Sequence, residues 1–255
     1  MKKNNVRLIF DIAFFICALM LALSVRAHDF SFVGEAKDLR TGELLYTEEH
    51  FVSLAESGEY KRSMVRYAAP DGTLIASKTL DFGASQTAPT LKFEYHQYPL
   101  SFDSSYEDRQ FVLSSAKPDS ESEAVIDLSD LQVFVVDGGF DRLLVSHWDS
   151  LLEGMEKDFD FLAVTRGSTI GFTLGVVSQS EDRVRFQIEP SSWLIDLLVE
   201  PIFLEYDRES RLLMRYEGLT NIALSEDADN VVAVIDYQYE GRSGFSPEEQ
   251  ISAVR

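Results

Sequence analysis

Cysteine is all but missing. The one residue, Cys17, sits in an apolar N-terminal run, so disulfides and thiolate metal sites are closed to the rest of the chain. Histidine is scarce at four residues, proline at 7 and tryptophan at 2. Also lacking are the sequence signatures of several enzyme classes: there is no Gly-x-Ser-x-Gly elbow, no Walker loop and no dinucleotide fingerprint. Positive charge is in short supply too, with 23 Lys and Arg against 43 Asp and Glu and a net charge of −20. A field of that sign repels nucleic acid and anionic lipid head groups and favours solubility, so nucleic-acid partners are not expected. No long hydrophobic run exists either: the longest, 12–23, falls short of the ~20 residues that span a bilayer core.

What is present begins with an export signal. Lys2, Lys3 and Arg7 precede an apolar segment, 8–23, broken only by Asp11, and Val25 and Ala27 supply the residues signal peptidase accepts at its third and first positions. The expectation is a signal peptide over 1–27, cleaved after Ala27, and a mature periplasmic chain starting at His28. Cys17 follows Phe14-Phe15-Ile16, where a lipoprotein signal wants small residues, so no lipid anchor is expected. Residues 28–241 read as one β-rich domain and 242–255 as a loose tail.

Short apolar or alternating runs between turn residues dominate the mature chain. Strands at 30–36 and 44–51 flank the turn 38–42. A second hairpin joins 60–67 to 73–82 through Pro70-Asp71-Gly72, and 91–98 with 106–113 makes a third pair. Segment 117–124 reads as an exposed loop and 125–136 as extended. Asp141 is suited to cap a helix ending at Gly154, with Leu144, Trp148, Leu151, Leu152 and Met155 on one face. Strands follow at 159–164, 169–177 and 183–188. A second helix over 191–199, apolar apart from Asp196, stops before Pro201. A hairpin of 202–206 and 212–216 with one buried face, then a strand at 231–239, complete the pattern. The fold class expected is mainly β: a strongly curved antiparallel sheet, a half-open barrel, with two helices packed on it. A β-sandwich is the alternative.

Three runs carry a resemblance: Gly34-Glu35-Ala36-Lys37-Asp38-Leu39-Arg40-Thr41-Gly42-Glu43-Leu44-Leu45-Tyr46-Thr47-Glu48-Glu49-His50, Pro201-Ile202-Phe203-Leu204-Glu205-Tyr206-Asp207, and Leu212-Leu213-Met214-Arg215-Tyr216-Glu217-Gly218-Leu219-Thr220-Asn221-Ile222. They resemble exported proteobacterial proteins of unknown function over most of the mature chain. That resemblance implies no activity and no functional residues. The order of elements is also loosely similar to the periplasmic lipoprotein carriers, whose half-barrel shelters an acyl chain beneath a helical lid, a likeness of architecture alone.

The candidate chemistry divides in two. Apolar candidates are Trp148, the second-helix residues Trp193, Leu194, Leu197 and Leu198, and the inward-facing Tyr206, Tyr216 and Tyr237, with Tyr239 beside them. Together they suit a lipid or another hydrophobic ligand, although a plain core has the same composition. Metal candidates are His28, whose α-amino group and imidazole would chelate copper after cleavage, and the Glu-x-His pairs Glu48/His50 and Glu94/His96. Each pair shares a strand face, and were the two strands neighbours the four side chains would suit zinc or iron. Tyr46 beside the first pair, and Lys92 and Tyr98 beside the second, make both faces read as ordinary solvated sheet instead. His147 reads as a boundary residue bonded to a neighbour, and the acidic clusters 158–160 and 226–230 as solvated turns. The leading function is a non-enzymatic periplasmic binding or accessory protein that needs no cofactor. The alternatives are a copper- or zinc-dependent enzyme and an envelope protein-interaction module.

Overall fold

The turn residues impose the first reversals of the chain. Gly42 and Gly72 both take positive φ, 71° and 86°. The Asp38 carboxylate accepts the Thr41 and Arg40 amides at 2.8 and 3.0 Å, and Asp71 accepts that of Thr73 at 2.9 Å. The computed structural model describes residues 29–191 and 201–240. The segment expected to direct export, with His28, the expected second helix with Trp193, Leu194, Leu197 and Leu198, and the expected tail at 242–255 lie outside the described residues.

Eight strands run in sequence as a meander: β1 (Phe30–Asp38), β2 (Leu44–Leu54), β3 (Tyr60–Ala68), β4 (Leu74–Asp81), β5 (Thr90–Tyr95), β6 (Ser101–Glu107), β7 (Gln110–Lys117) and β8 (Ser120–Asp127). After the short β9 (Phe134–Val135) come helices α1 (Gly139–Ser146) and α2 (Trp148–Leu152). A second meander follows: β10 (Lys157–Ala163), β11 (Ser168–Gln179), β12 (Arg183–Pro190), β13 (Ile202–Asp207), β14 (Leu213–Ala223) and β15 (Asn230–Glu240). All fifteen strands form one sheet, with β1 and β15 paired antiparallel at its middle and β8 and β9 at its two ends. The sheet curls without a ladder joining those ends. They nevertheless come close, since a Cβ on Gly167, after β10, would stand 2.8 Å from that of Ala124 in β8. This is the curved, half-open barrel with two helices.

Its interior has two apolar clusters. One gathers inner residues of β1–β8, β14 and β15, among them Tyr46, Tyr67, Phe93 and Phe111. The other packs Leu143, Leu144, Trp148 and Leu151 of the helices on Phe172, Phe186 and Tyr206 of β11–β13. Leu213 and Tyr216 of β14 touch both.

Several local expectations need correction. Residues 91–98 and 106–113 do not pair: β5 pairs with β6, and 106–113 is itself a hairpin, with Tyr106 opposite Phe111 and Asp108 at φ 53°. An aspartate in the left-handed region supplies the reversal that a glycine would have signalled. Residues 120–124 are strand rather than loop; their Ser and Glu side chains are exposed on the edge strand β8, where charge guards against edge-to-edge pairing. The helix begins at Gly139, so Asp141 lies in its first turn instead of capping it, and it breaks at His147. Both helices therefore come from the one predicted segment. Met155 is 54 % exposed, off the apolar stripe. Asp158 and Asp160 flank the buried Phe159 in β10 rather than forming a turn.

Candidate functional site

On β2 the residues Tyr46, Glu48, His50 and Val52 alternate with outward neighbours and face the interior, so the face read as solvated is an inner wall. Strand register lays these residues out in cross-strand rows. One row runs Lys78, Val65, His50, Phe32, Tyr239 over β4, β3, β2, β1 and β15. The next runs Ala76, Tyr67, Glu48, Gly34, Tyr237, and the third Tyr46, Ala36, Ile235, Tyr216.

Gly34 makes the middle row work. A Cβ there would lie 2.7 Å from Tyr237 Cε1 and 2.8 Å from Ile235 Cγ2, so only a bare backbone lets the Tyr237 ring lean across β1. Leaning over, Tyr237 donates its hydroxyl to Glu48 Oε2 at 3.1 Å. His50 Nε2 contacts the same oxygen at 2.9 Å. The His50 ring is stacked on Phe32 at 4.2 Å between centroids, and Phe32 on Tyr239 at 4.7 Å, an aromatic roof over the row beneath. Glu48 is buried below it.

A second polar group crosses the barrel. Lys78 Nζ donates to Asp137 Oδ1 at 2.6 Å, with both side chains nearly buried, and Asn221 of β14 donates to Asp137 Oδ2 at 2.8 Å. Asp137 sits at φ 46° on the approach to α1 and also accepts the Gly138 amide at 2.7 Å. The Lys78 ammonium lies 5.5 Å above the Tyr67 ring centre. The Tyr46 hydroxyl is buried without a well-formed hydrogen bond, with the Thr220 side chain of β14 near it.

Burial pushes the phenols of Tyr46, Tyr67 and Tyr237 well above their usual range, and the Glu48 carboxylate pushes each further. Tyr206 is raised likewise by burial and then by Asp141, which accepts its hydroxyl at 2.9 Å. The wall thus combines rings that stay neutral, one matched ion pair and a carboxylate with an imidazole beside it.

No family model matches the sequence, and no curated protein matches it. Among solved structures, the chain is similar to a β-barrel-like protein of a domain of unknown function from Brucella abortus, with a TM-score of 0.47 and 9 % identity over 83 % of this chain and 97 % of that one. It is also similar to a porin-like protein from Bacteroides uniformis, with a TM-score of 0.24 and 7 % identity over 82 % and 97 % of the two chains.

The candidates from sequence are distributed unevenly. Trp148 and Tyr206 meet at 5.8 Å in the helix-side cluster, whereas Tyr237 belongs to the Glu48 row and Tyr216 lies where the clusters meet. Glu48 and His50 come together, but two strands separate β2 from β5, and Glu94 and His96 are exposed on the outer side, His96 against Ser77 Oγ at 3.0 Å. The four-residue metal site is therefore not assembled. Among the described residues, no three His, Cys, Asp or Glu are grouped to hold a metal, and no helix is long and apolar enough to cross a membrane. His147 bonds locally, Nδ1 to Leu143 O at 3.0 Å and to Ser146 Oγ at 2.9 Å. Tyr46, Tyr67, Lys78, Asp137 and Asn221 were not among the candidates. The phase of β4 carries a signal for one of them, because Lys78 alternates in step with Ala76 and Leu80, inward positions otherwise apolar.

Proposed function

We propose that the protein is a non-enzymatic periplasmic binding protein that holds an apolar ligand with a polar end against the inner wall of its curved sheet. The observation that carries this reading is the Tyr46 hydroxyl, buried in an aromatic wall beside Thr220 without a well-formed hydrogen bond. Such a group costs ~1–3 kcal/mol, which phenylalanine would avoid, so its retention is best understood as service to a guest. The rings of Tyr237 and Tyr216 supply apolar contact along this wall, and those of Tyr206 and Trp148 line the helix-side cluster that Tyr216 also touches. The leader-like N-terminus and the acidic surface support the periplasmic assignment.

Native mass spectrometry of protein purified from periplasm tests it, with the denatured mass fixing the N-terminus. A lipid-sized adduct on a chain starting at His28 is expected. A bare protein that takes up nothing from a lipid extract would remove the reading, and a copper or zinc adduct would favour a metal-dependent enzyme. One observation favours the envelope interaction module: Leu219 and Val232, direct partners across β14 and β15, are 43 % and 36 % exposed. Replacing both by Thr would weaken a pull-down partner if that outer face docks one.

A further inference from the structure

We propose that Glu48 and Tyr46, with the rings of Tyr67 and Tyr237, form a subsite for the ammonium head of an amphiphile; the inference rests on the binding-protein reading above. Both donors to Glu48, the Tyr237 hydroxyl and His50 Nε2, land on Oε2, and Oε1 takes no hydrogen bond from the described residues. Tyr46, whose buried hydroxyl makes no well-formed hydrogen bond although Thr220 is near it, lies two residues along the same inner face. A carboxylate oxygen and a phenol oxygen on one inner face are two acceptors, and an ammonium group is a donor that can use both.

Charge points the same way. Of the charged groups here Glu48 and Lys78 are buried and Asp137 is nearly so, and Lys78 with Asp137 at 2.6 Å neutralise one another. Glu48 has only an imidazole beside it, which touches the oxygen already engaged. A buried carboxylate calls for a cation, whereas an anionic head would meet it as a like charge. The walls suit a cation too: an ammonium already rests over the Tyr67 ring, that of Lys78. The His50 end of the row is the nearer to solvent, its imidazole 14 % exposed against 7 % for the Glu48 side chain.

The test compares n-decylammonium, n-decanol and decanoate, each below its aggregation limit, by calorimetric titration of the full mature chain. Decylammonium is expected to bind at least tenfold tighter than decanol. Glu48→Gln and Tyr46→Phe should each erase that margin while leaving decanol binding as it was, and the outer-face control Glu94→Gln should change nothing. Tyr46→Phe keeps the ring and the packing, so it remains informative should Glu48→Gln fold poorly. Equal binding of decylammonium and decanol would overturn the subsite and spare the binding-protein reading. Decanoate binding tightest would overturn it in favour of Lys78. Failure of all three to bind would remove both readings.

Discussion

Gly34 shows how one missing side chain arranges several others. Its backbone lies under the Tyr237 ring, and that ring reaches Glu48 only because no Cβ stands 2.7 Å away. Gly34→Ala should therefore lower stability by ~1–3 kcal/mol, the usual range for overpacking, seen as a lower urea midpoint at unchanged slope. In a Tyr237→Leu background the same substitution should cost clearly less, and an equal cost in both backgrounds would show that the contact does not matter. Tyr46→Phe should act in the opposite sense. Removing a buried hydroxyl that makes no well-formed hydrogen bond leaves the ligand-free protein as stable as before or up to ~1 kcal/mol more so, again read from urea unfolding. Glu48 and Lys78 could be read as inward from strand phase alone, since each alternates in step with apolar neighbours. Their partners could not: Tyr237 lies far along the chain from Glu48, and Asp137 comes from a turn.

Elements were legible wherever turn chemistry was explicit. The Asp38–Gly42 and Pro70–Gly72 reversals and the strands around them stand where residue type places them, because glycine and aspartate leave few other conformations open. Where the turn is made by Asp108-Arg109, a pair without glycine, two strands read as one. The helix was legible from its apolar spacing, but its break was not: His147 leaves helical geometry at φ −108° and ψ 13° with no glycine or proline to announce it. Asp137 is the joint between elements, tying β4 through Lys78, β14 through Asn221 and the start of α1 through the Gly138 amide. Asp137→Ala strands a buried ammonium and should cost ~3–5 kcal/mol. The pair Lys78→Met with Asp137→Asn removes both charges, keeps the acceptor for Asn221 and a residue tolerant of positive φ, and should recover most of that loss in the same unfolding assay.

At the scale of the whole molecule, runs of strands with few crossovers implied a curved sheet, while the pairing of β1 with β15 had no local signal to announce it. That pairing places Tyr237 against Glu48 and makes β14 common ground for the two apolar clusters, through Leu213 and Tyr216. Alkali tests whether the clusters unfold together. Folding raises the phenol pKa of Tyr46, Tyr67 and Tyr237 in one cluster and of Tyr206 in the other. In the unfolded chain tyrosine ionises near pH ~10, so below that value both states hold the proton and these groups leave stability unchanged. Above it the unfolded state releases protons that the folded state retains, and stability falls with every further rise in pH. Tyrosinate absorbance near ~295 nm should accordingly show exposed phenols ionising first. The buried phenols, these four among them, should then ionise in one steep step that coincides with loss of the far-ultraviolet β signal, because β14 couples the two halves. Two separated steps, with Trp148 fluorescence following only one, would mean that the halves on either side of β14 open independently.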